Sequence, residues 1–75
     1  MEPATLNAMS AAAANGDQGV LIIEIATGRS RFLRAQAMGM GPIAKSAERS
    51  LATEQAFEEE VGGNRYFFKP LNFGR

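Results

Sequence analysis

The hydrophobic and polar positions of this chain divide it into segments that glycines separate. Residues 3–14 predict a helix, because Pro3 suits the first turn, alanine is the best helix former, and Asn15-Gly16 is a stop signal. Large apolar residues are few in this segment, so its apolar stripe is thin. We expect such a helix to depend on close packing against another element.

Residues 19–27 predict a strand. Its apolar residues follow one another without polar interruption from Val20 to Ile23, and Ile25 continues the run. A half-exposed strand would instead alternate between apolar and polar residues. We therefore expect this strand to be covered on both of its faces.

The segment that follows has two interpretations. Gly28 suits the first central position of a type II′ turn, which would lead into a return strand over residues 31–38. In that hairpin Ile25 would lie opposite Phe32. Alternatively, the same segment forms a short helix that begins at Ser30. The sequence leaves both interpretations open.

Residues 43–61 predict a long helix. At 100° per residue, one side of it carries Ile43, Ala47, Phe57 and Val61, and a glycine pair ends it. The last turns are rich in glutamate. Acidic residues at the C-terminal end of a helix oppose its macrodipole, which suggests a basic partner nearby.

Residues 65–69 predict a final short strand, and Pro70 either breaks this strand or places it on a sheet edge. The element order α-β-β-α-β predicts an α+β fold, in which a short antiparallel sheet with a hairpin packs against two helices. The chain reads as one small domain, residues 1–75, with an apolar C-terminal arm at residues 70–75. The arm could fold onto its own domain or insert into a neighbouring molecule.

The composition predicts a thin core. Sixteen residues are Leu, Ile, Val or Phe, whereas thirteen are alanine, which buries little area. Cysteine and histidine are absent, so neither a disulfide nor a common type of zinc site can support the fold. A domain of this size is marginally stable alone, and we expect association with a partner to stabilise it.

The same absences limit the chemistry. Without histidine and cysteine the usual nucleophile–base pairs cannot form, and we predict no enzymatic activity, no metal and no cofactor. A net charge of zero makes nucleic-acid binding an unfavoured interpretation. No stretch approaches the ~20 apolar residues of a membrane span, and the first residues lack a signal-peptide pattern. We expect no membrane contact and a cytoplasmic location, or a virion if the protein is viral.

Two clusters combine arginine with aromatic residues, which are both frequent in protein interfaces. One cluster surrounds Phe32, and the other follows Arg65 and continues into the apolar arm. The predicted partner-binding residues are Arg29, Arg31, Phe32, Arg34, Tyr66, Phe68, Leu71 and Phe73.

These observations support three hypotheses for function. The first is a non-catalytic structural or assembly subunit of a larger particle, such as a bacteriophage virion, which contacts other subunits or copies of itself. The second is a small inhibitor or regulator of a host enzyme, of the kind that counters host defence. The third is a single-stranded nucleic-acid binder, in which aromatic residues with basic neighbours stack on bases.

Overall fold

The chain folds into two helices and a four-stranded sheet, and a computed structural model describes residues 1–74. The order α-β-β-α-β-β confirms the predicted α+β class and adds a fourth strand. The elements are α1 (Pro3–Asn15), β1 (Gln18–Glu24), β2 (Ser30–Arg34), α2 (Pro42–Thr53), β3 (Phe57–Val61) and β4 (Asn64–Asn72), with a 3₁₀ turn at Ala35–Ala37.

The sheet is antiparallel throughout, in the order β2-β1-β4-β3. The two helices cover opposite faces of it. Val20 and Ile22 of β1 pack against α2, whereas Leu21 between them packs against α1. Successive side chains of a strand point to opposite faces, so the uninterrupted apolar run of β1 fills both cores. The prediction that this strand is covered on both faces is confirmed.

The core beneath α2 is the larger of the two. Phe68 of β4 is fully buried there, beside Ile22 and Ala47, which are also inaccessible to solvent. The core beneath α1 consists mainly of Ala12, Leu21 and Phe32. Alanine on α1 lets the helix approach the sheet closely, which is the packing that its sequence predicts.

The predicted helix over residues 43–61 is wrong in its second half. The helix α2 ends at Thr53, because Glu54 adopts a left-handed conformation with φ of 56° and its N–H donates to the carbonyl of Leu51 at 3.3 Å. The chain then enters β3. Phe57 and Val61 still face α2, since a spacing of four residues keeps two side chains on one side of a strand as well as of a helix.

The hairpin between β1 and β2 exists, but its predicted register is wrong. Phe32 lies opposite Leu21, four residues from the expected partner Ile25. The connecting loop is longer than a two-residue turn, and within it the N–H of Gly28 donates to the carbonyl of Glu24 at 2.8 Å. A shift of four residues preserves the alternation of faces, so Phe32 still points into a core.

The disputed segment after the loop is part strand and part helix. Residues Ser30–Arg34 form β2, and Ala35–Ala37 form a single 3₁₀ turn. The hairpin interpretation is therefore right for residues 30–34, whereas the helix beginning at Ser30 does not form and the predicted return strand stops four residues early.

The C-terminal arm docks on its own domain, which is the first of the two alternatives. Leu71 continues β4 opposite Gly19, and the N–H of Phe73 donates to the carbonyl of Asp17 at 2.9 Å. The ring of Phe73 lies 6.2 Å from that of Phe32, between ring centroids. Pro70 does not break β4, which continues to Asn72, but it lies beyond the last residue that pairs with β3 and so occupies a local sheet edge, the second of the two alternatives. The last residue of the arm, residue 75, lies outside the described residues.

We predict that Phe73→Ala lowers the free energy of unfolding by about 1–3 kcal/mol, because it removes the ring contact with Phe32 and leaves part of a core open. Urea unfolding followed by circular dichroism would measure this change. Met40→Ala is the matched control, since the Met40 side chain is 98% exposed and should matter by less than about 0.5 kcal/mol. Equal stabilities of the two variants would contradict the packing described for the arm.

Candidate protein-interaction site

One end of the sheet carries an open pocket of about 270 Å³. It lies where β1 ends and β2 begins, next to the start of β4. We call it the arginine pocket, and define it by the residues Glu2, Glu24, Arg29, Ser30, Arg31 and Tyr66, with Ile22 also lining it.

Strand pairing places these side chains together. Arg31 of β2 lies opposite Ile22 of β1, and Tyr66 of β4 lies opposite Glu24 of β1. Residues 22 and 24 of one strand point to the same face, so their cross-strand partners also share that face. Arg29 joins them because its carbonyl accepts the N–H of Glu24 at 2.8 Å, which closes the hairpin loop.

The N-terminus of α1 closes one side of the pocket. The carboxylate of Glu2 accepts the backbone N–H of Ser30, at 3.1 Å to Oε1 and 3.2 Å to Oε2. The hydroxyl of Thr5 donates to the carbonyl of Ser30 at 2.9 Å. Both backbone groups of Ser30 are thus satisfied by side chains that lie far from it in the sequence.

Among the residues that the structure describes, the acidic and basic side chains of the arginine pocket form no ion pairs with one another. Glu2 accepts the backbone N–H of Ser30, and Glu24 accepts a hydrogen bond from the hydroxyl of Thr27 at 2.7 Å. Arg29 and Arg31 are exposed and form no ion pair with any residue among 1–74. Their guanidinium groups remain available as donors to a carboxylate or another planar anion.

Three of the eight predicted partner-binding residues meet at this pocket: Arg29, Arg31 and Tyr66. Phe32 and Phe68 are core residues instead, with exposures of 7% and 0%. Their assignment as partner contacts is wrong, because a side chain buried in its own fold cannot reach another molecule. The sequence shows that these two residues are aromatic, but it does not show which face of their strands a helix covers.

The other three predicted residues have partners within the domain. Leu71 and Phe73 are half-buried against the core beneath α1. Arg34 forms an ion pair with Asp17, which also accepts a hydrogen bond from Gln36 at 3.1 Å. The hydrogen bond from Arg34, and then the one from Gln36, hold the pKa of Asp17 below its ordinary value.

The glutamates predicted to lie in the last turns of the long helix are instead distributed over both faces of β3. Glu59 points toward α2, where it accepts hydrogen bonds from the hydroxyl of Ser46 and from Arg49. The Ser46 bond is the main cause that lowers the pKa of Glu59. Glu58 and Glu60 lie on the opposite face of the strand, so the acidic side chains form no single cluster.

Glu2 and Thr5 are the residues of this site that sequence reasoning missed. They act on a residue 25 to 28 positions away, and no local pattern encodes a contact of that range. Thr27 could have been found, because a threonine hydroxyl in a turn commonly accepts the backbone N–H two residues on, here that of Arg29 at 3.2 Å.

Comparisons of the chain with protein-family models, with curated proteins and with solved structures find no match. Neither helix of the described residues has the length and apolar content needed to cross a membrane. Within residues 1–74 no three acidic side chains lie close enough together to hold a metal ion.

We predict that stability falls in acid through Asp17 and Glu59. Each has a lowered pKa in the folded state, so its contribution is present above its ordinary value and is lost as the pH falls below about 4.5. Urea unfolding between about pH 3 and pH 7 should show a smaller loss for the Asp17→Asn, Glu59→Gln double variant than for the parent chain.

The control for this series is Glu48→Gln, which removes a carboxylate of α2 that forms no ion pair in the described part of the chain. It should reproduce the parent's pH profile. A double variant that loses as much stability in acid as the parent would contradict the role given to the two carboxylates.

Proposed function

We propose that the chain is a non-catalytic subunit of a larger assembly, and that it acts by protein–protein contact through the arginine pocket. The observation that carries the proposal is the convergence of Arg29, Arg31 and Tyr66 at one open end of the sheet, with neither arginine in an ion pair within residues 1–74.

The chemistry of these side chains indicates what they contact. A guanidinium binds a carboxylate through two parallel hydrogen bonds, and arginine and tyrosine are enriched among the residues that dominate interface energies. Tyr66 adds an apolar ring beside the charged groups, half-buried against Phe68 at 6.2 Å between ring centroids. The contact that fits is an aspartate, a glutamate or a terminal carboxylate of a neighbouring subunit.

The assembly itself is proposed from size and composition. A domain of 75 residues with few large apolar side chains gains stability by mass action whenever a partner binds its folded form. A bacteriophage virion is the particle we put first, and that choice rests on the sequence alone.

A second candidate is a regulator or inhibitor that binds a single host enzyme through the same pocket. The two candidates differ in stoichiometry, because an assembly subunit has several neighbours whereas an inhibitor has one. A nucleic-acid binder is less favoured. Arg65, Phe67 and Lys69 do share one face of β4, but Glu58 and Glu60 of β3 lie beside them on that face and cancel their charge.

We predict that the Arg29→Glu, Arg31→Glu variant abolishes association of the chain. Size exclusion with light scattering on the purified parent chain should give a defined oligomer, and on this variant a folded monomer, because reversed charge repels the carboxylates of the partner. Lys45→Glu, Lys69→Glu is the matched control, since it makes the same change in charge at two exposed lysines outside the pocket.

A parent chain that stays monomeric at high concentration would contradict assembly with itself and favour the inhibitor hypothesis. An oligomer that survives the arginine variant, or that the lysine variant also dissociates, would remove the arginine pocket as the contact site.

A further inference from the structure

The strand β3 forms an outer edge of the sheet, and its turn fixes which backbone groups face outward. Gly62 and Gly63 form a two-residue connection between Val61 and Asn64, which are paired. In such a hairpin the pair that flanks the turn is hydrogen-bonded, and the pairs alternate from there. The backbone N–H and C=O of Glu58 and Glu60 therefore point away from β4.

A hydrogen bond on the other side of β4 supports this assignment. The N–H of Ile25 donates to the carbonyl of Arg65 at 3.0 Å, so the backbone of Arg65 faces β1. Its cross-strand partner in β3 is Glu60. Since the Arg65 backbone groups are turned away from β3, those of Glu60 find no partner within the sheet.

The two edges of the sheet differ in how they are protected. At the β2 edge, Glu2 and Thr5 bind both outward groups of Ser30. At the β3 edge, no side chain of residues 1–74 binds the outward groups of Glu58 or Glu60. The β3 edge thus presents two donors and two acceptors in the spacing that an additional strand requires.

The side chains around this edge indicate the chemistry of such a strand. Glu58 and Glu60 are exposed on the face opposite α2, and the ion pair from Glu58 to Arg65 has both side chains more than half exposed. Glu60 forms no ion pair among the described residues. On the other face the half-buried Phe57 and Val61 border α2.

We propose that the β3 edge receives an extended segment of a partner protein, with lysine or arginine at alternate positions and apolar residues between them. The main chain of that segment would pair with Glu58 and Glu60, its basic side chains would lie beside the two carboxylates, and its apolar side chains would extend the core at Val61. This surface is separate from the arginine pocket, and the inference does not depend on the proposed function.

A second copy of the chain fits the edge less well. Two β3 strands paired antiparallel about Glu59 would bring Glu58 of each copy opposite Glu60 of the other, and like charges directly opposite are destabilising. The β2 strand of a second copy offers fewer backbone groups for pairing than β3 does, because those of Ser30 are already bound. The acidic edge therefore selects a basic strand from another protein.

The test uses the full chain and a blocked peptide of alternating lysine and valine, Lys-Val-Lys-Val-Lys-Val-Lys. Amide hydrogen exchange measured by NMR should be slowed at Glu58 and Glu60 when the peptide is added, while the amide of Phe32 at the β2 edge stays unchanged. Binding should weaken as salt is added, because the contacts with the carboxylates are exposed.

Two modified experiments distinguish the contribution of main-chain hydrogen bonds to peptide binding from that of the glutamate charges. A peptide with methylated backbone nitrogens on alternate residues keeps its charge but cannot pair, and it should not protect either amide. Glu58→Gln, Glu60→Gln should raise the Kd of the unmodified peptide by roughly tenfold and keep the fold, since both side chains are exposed. Glu48→Gln is the control and should leave the Kd unchanged.

The proposal is supported if the peptide slows exchange at the amides of Glu58 and Glu60, and if this protection is lost with the methylated peptide and weakened in the Glu58→Gln, Glu60→Gln variant. Absence of peptide binding, equal binding of the methylated peptide, or chemical-shift changes confined to the arginine pocket would overturn it. Slow exchange at Glu58 and Glu60 that depends only on the concentration of the chain itself would also overturn it, because the occupant would then be a second copy.

Discussion

The whole structure depends on the fact that the inner strand β1 is apolar on both faces. A sheet with one apolar face needs one covering layer. This sheet has two apolar faces, and one helix covers each of them. Phe68 lies at the centre of the larger core, beneath α2, with Ile22 beside it, and both are inaccessible to solvent. The strand order leaves β2 and β3 as the two edges, and the arginine pocket lies at the end of the sheet where α1 begins.

With only two short helices, coverage is incomplete, and the uncovered parts are the places where function can reside. The helix α1 begins at the start of β2, where its first residues satisfy the outer backbone of Ser30 and form one wall of the arginine pocket. The helix α2 reaches β3 through Glu59, Ser46 and Arg49, and it leaves the outer backbone of that strand open. The arginine pocket and the acidic β3 edge are therefore two separate surfaces of one small sheet.

Much of the fold could be predicted from the sequence, because its strongest signals are local. The alanine-rich helix, the continuous β1 run and the edge position of Pro70 each depend on one segment and on simple stereochemistry. The second half of the predicted long helix failed for a specific reason: Phe57 and Val61 are four residues apart, a spacing that helix and strand share, and only the left-handed conformation of Glu54 separates the two elements.

The candidate site was harder to predict, because it depends on which face each strand turns to the core. Arg29, Arg31 and Tyr66 are surface residues of the right kind, and the structure brings them together. Phe32 and Phe68 have the same sequence character but point inward, since they lie beneath α1 and α2. The sequence shows that a residue is aromatic, whereas the tertiary packing decides whether its side chain is buried or exposed.

The unequal protection of the two sheet edges has a consequence for solubility. At the β2 edge, hydrogen bonds with Glu2 and Thr5 occupy the outward backbone groups of Ser30, and that protection persists as long as the fold does. The β3 edge is protected against pairing with its own copies by the negative charges of Glu58 and Glu60, and salt screens the repulsion between such exposed charges. Aggregation by edge-to-edge growth of the sheet should therefore begin at β3, and storage at low salt should delay it.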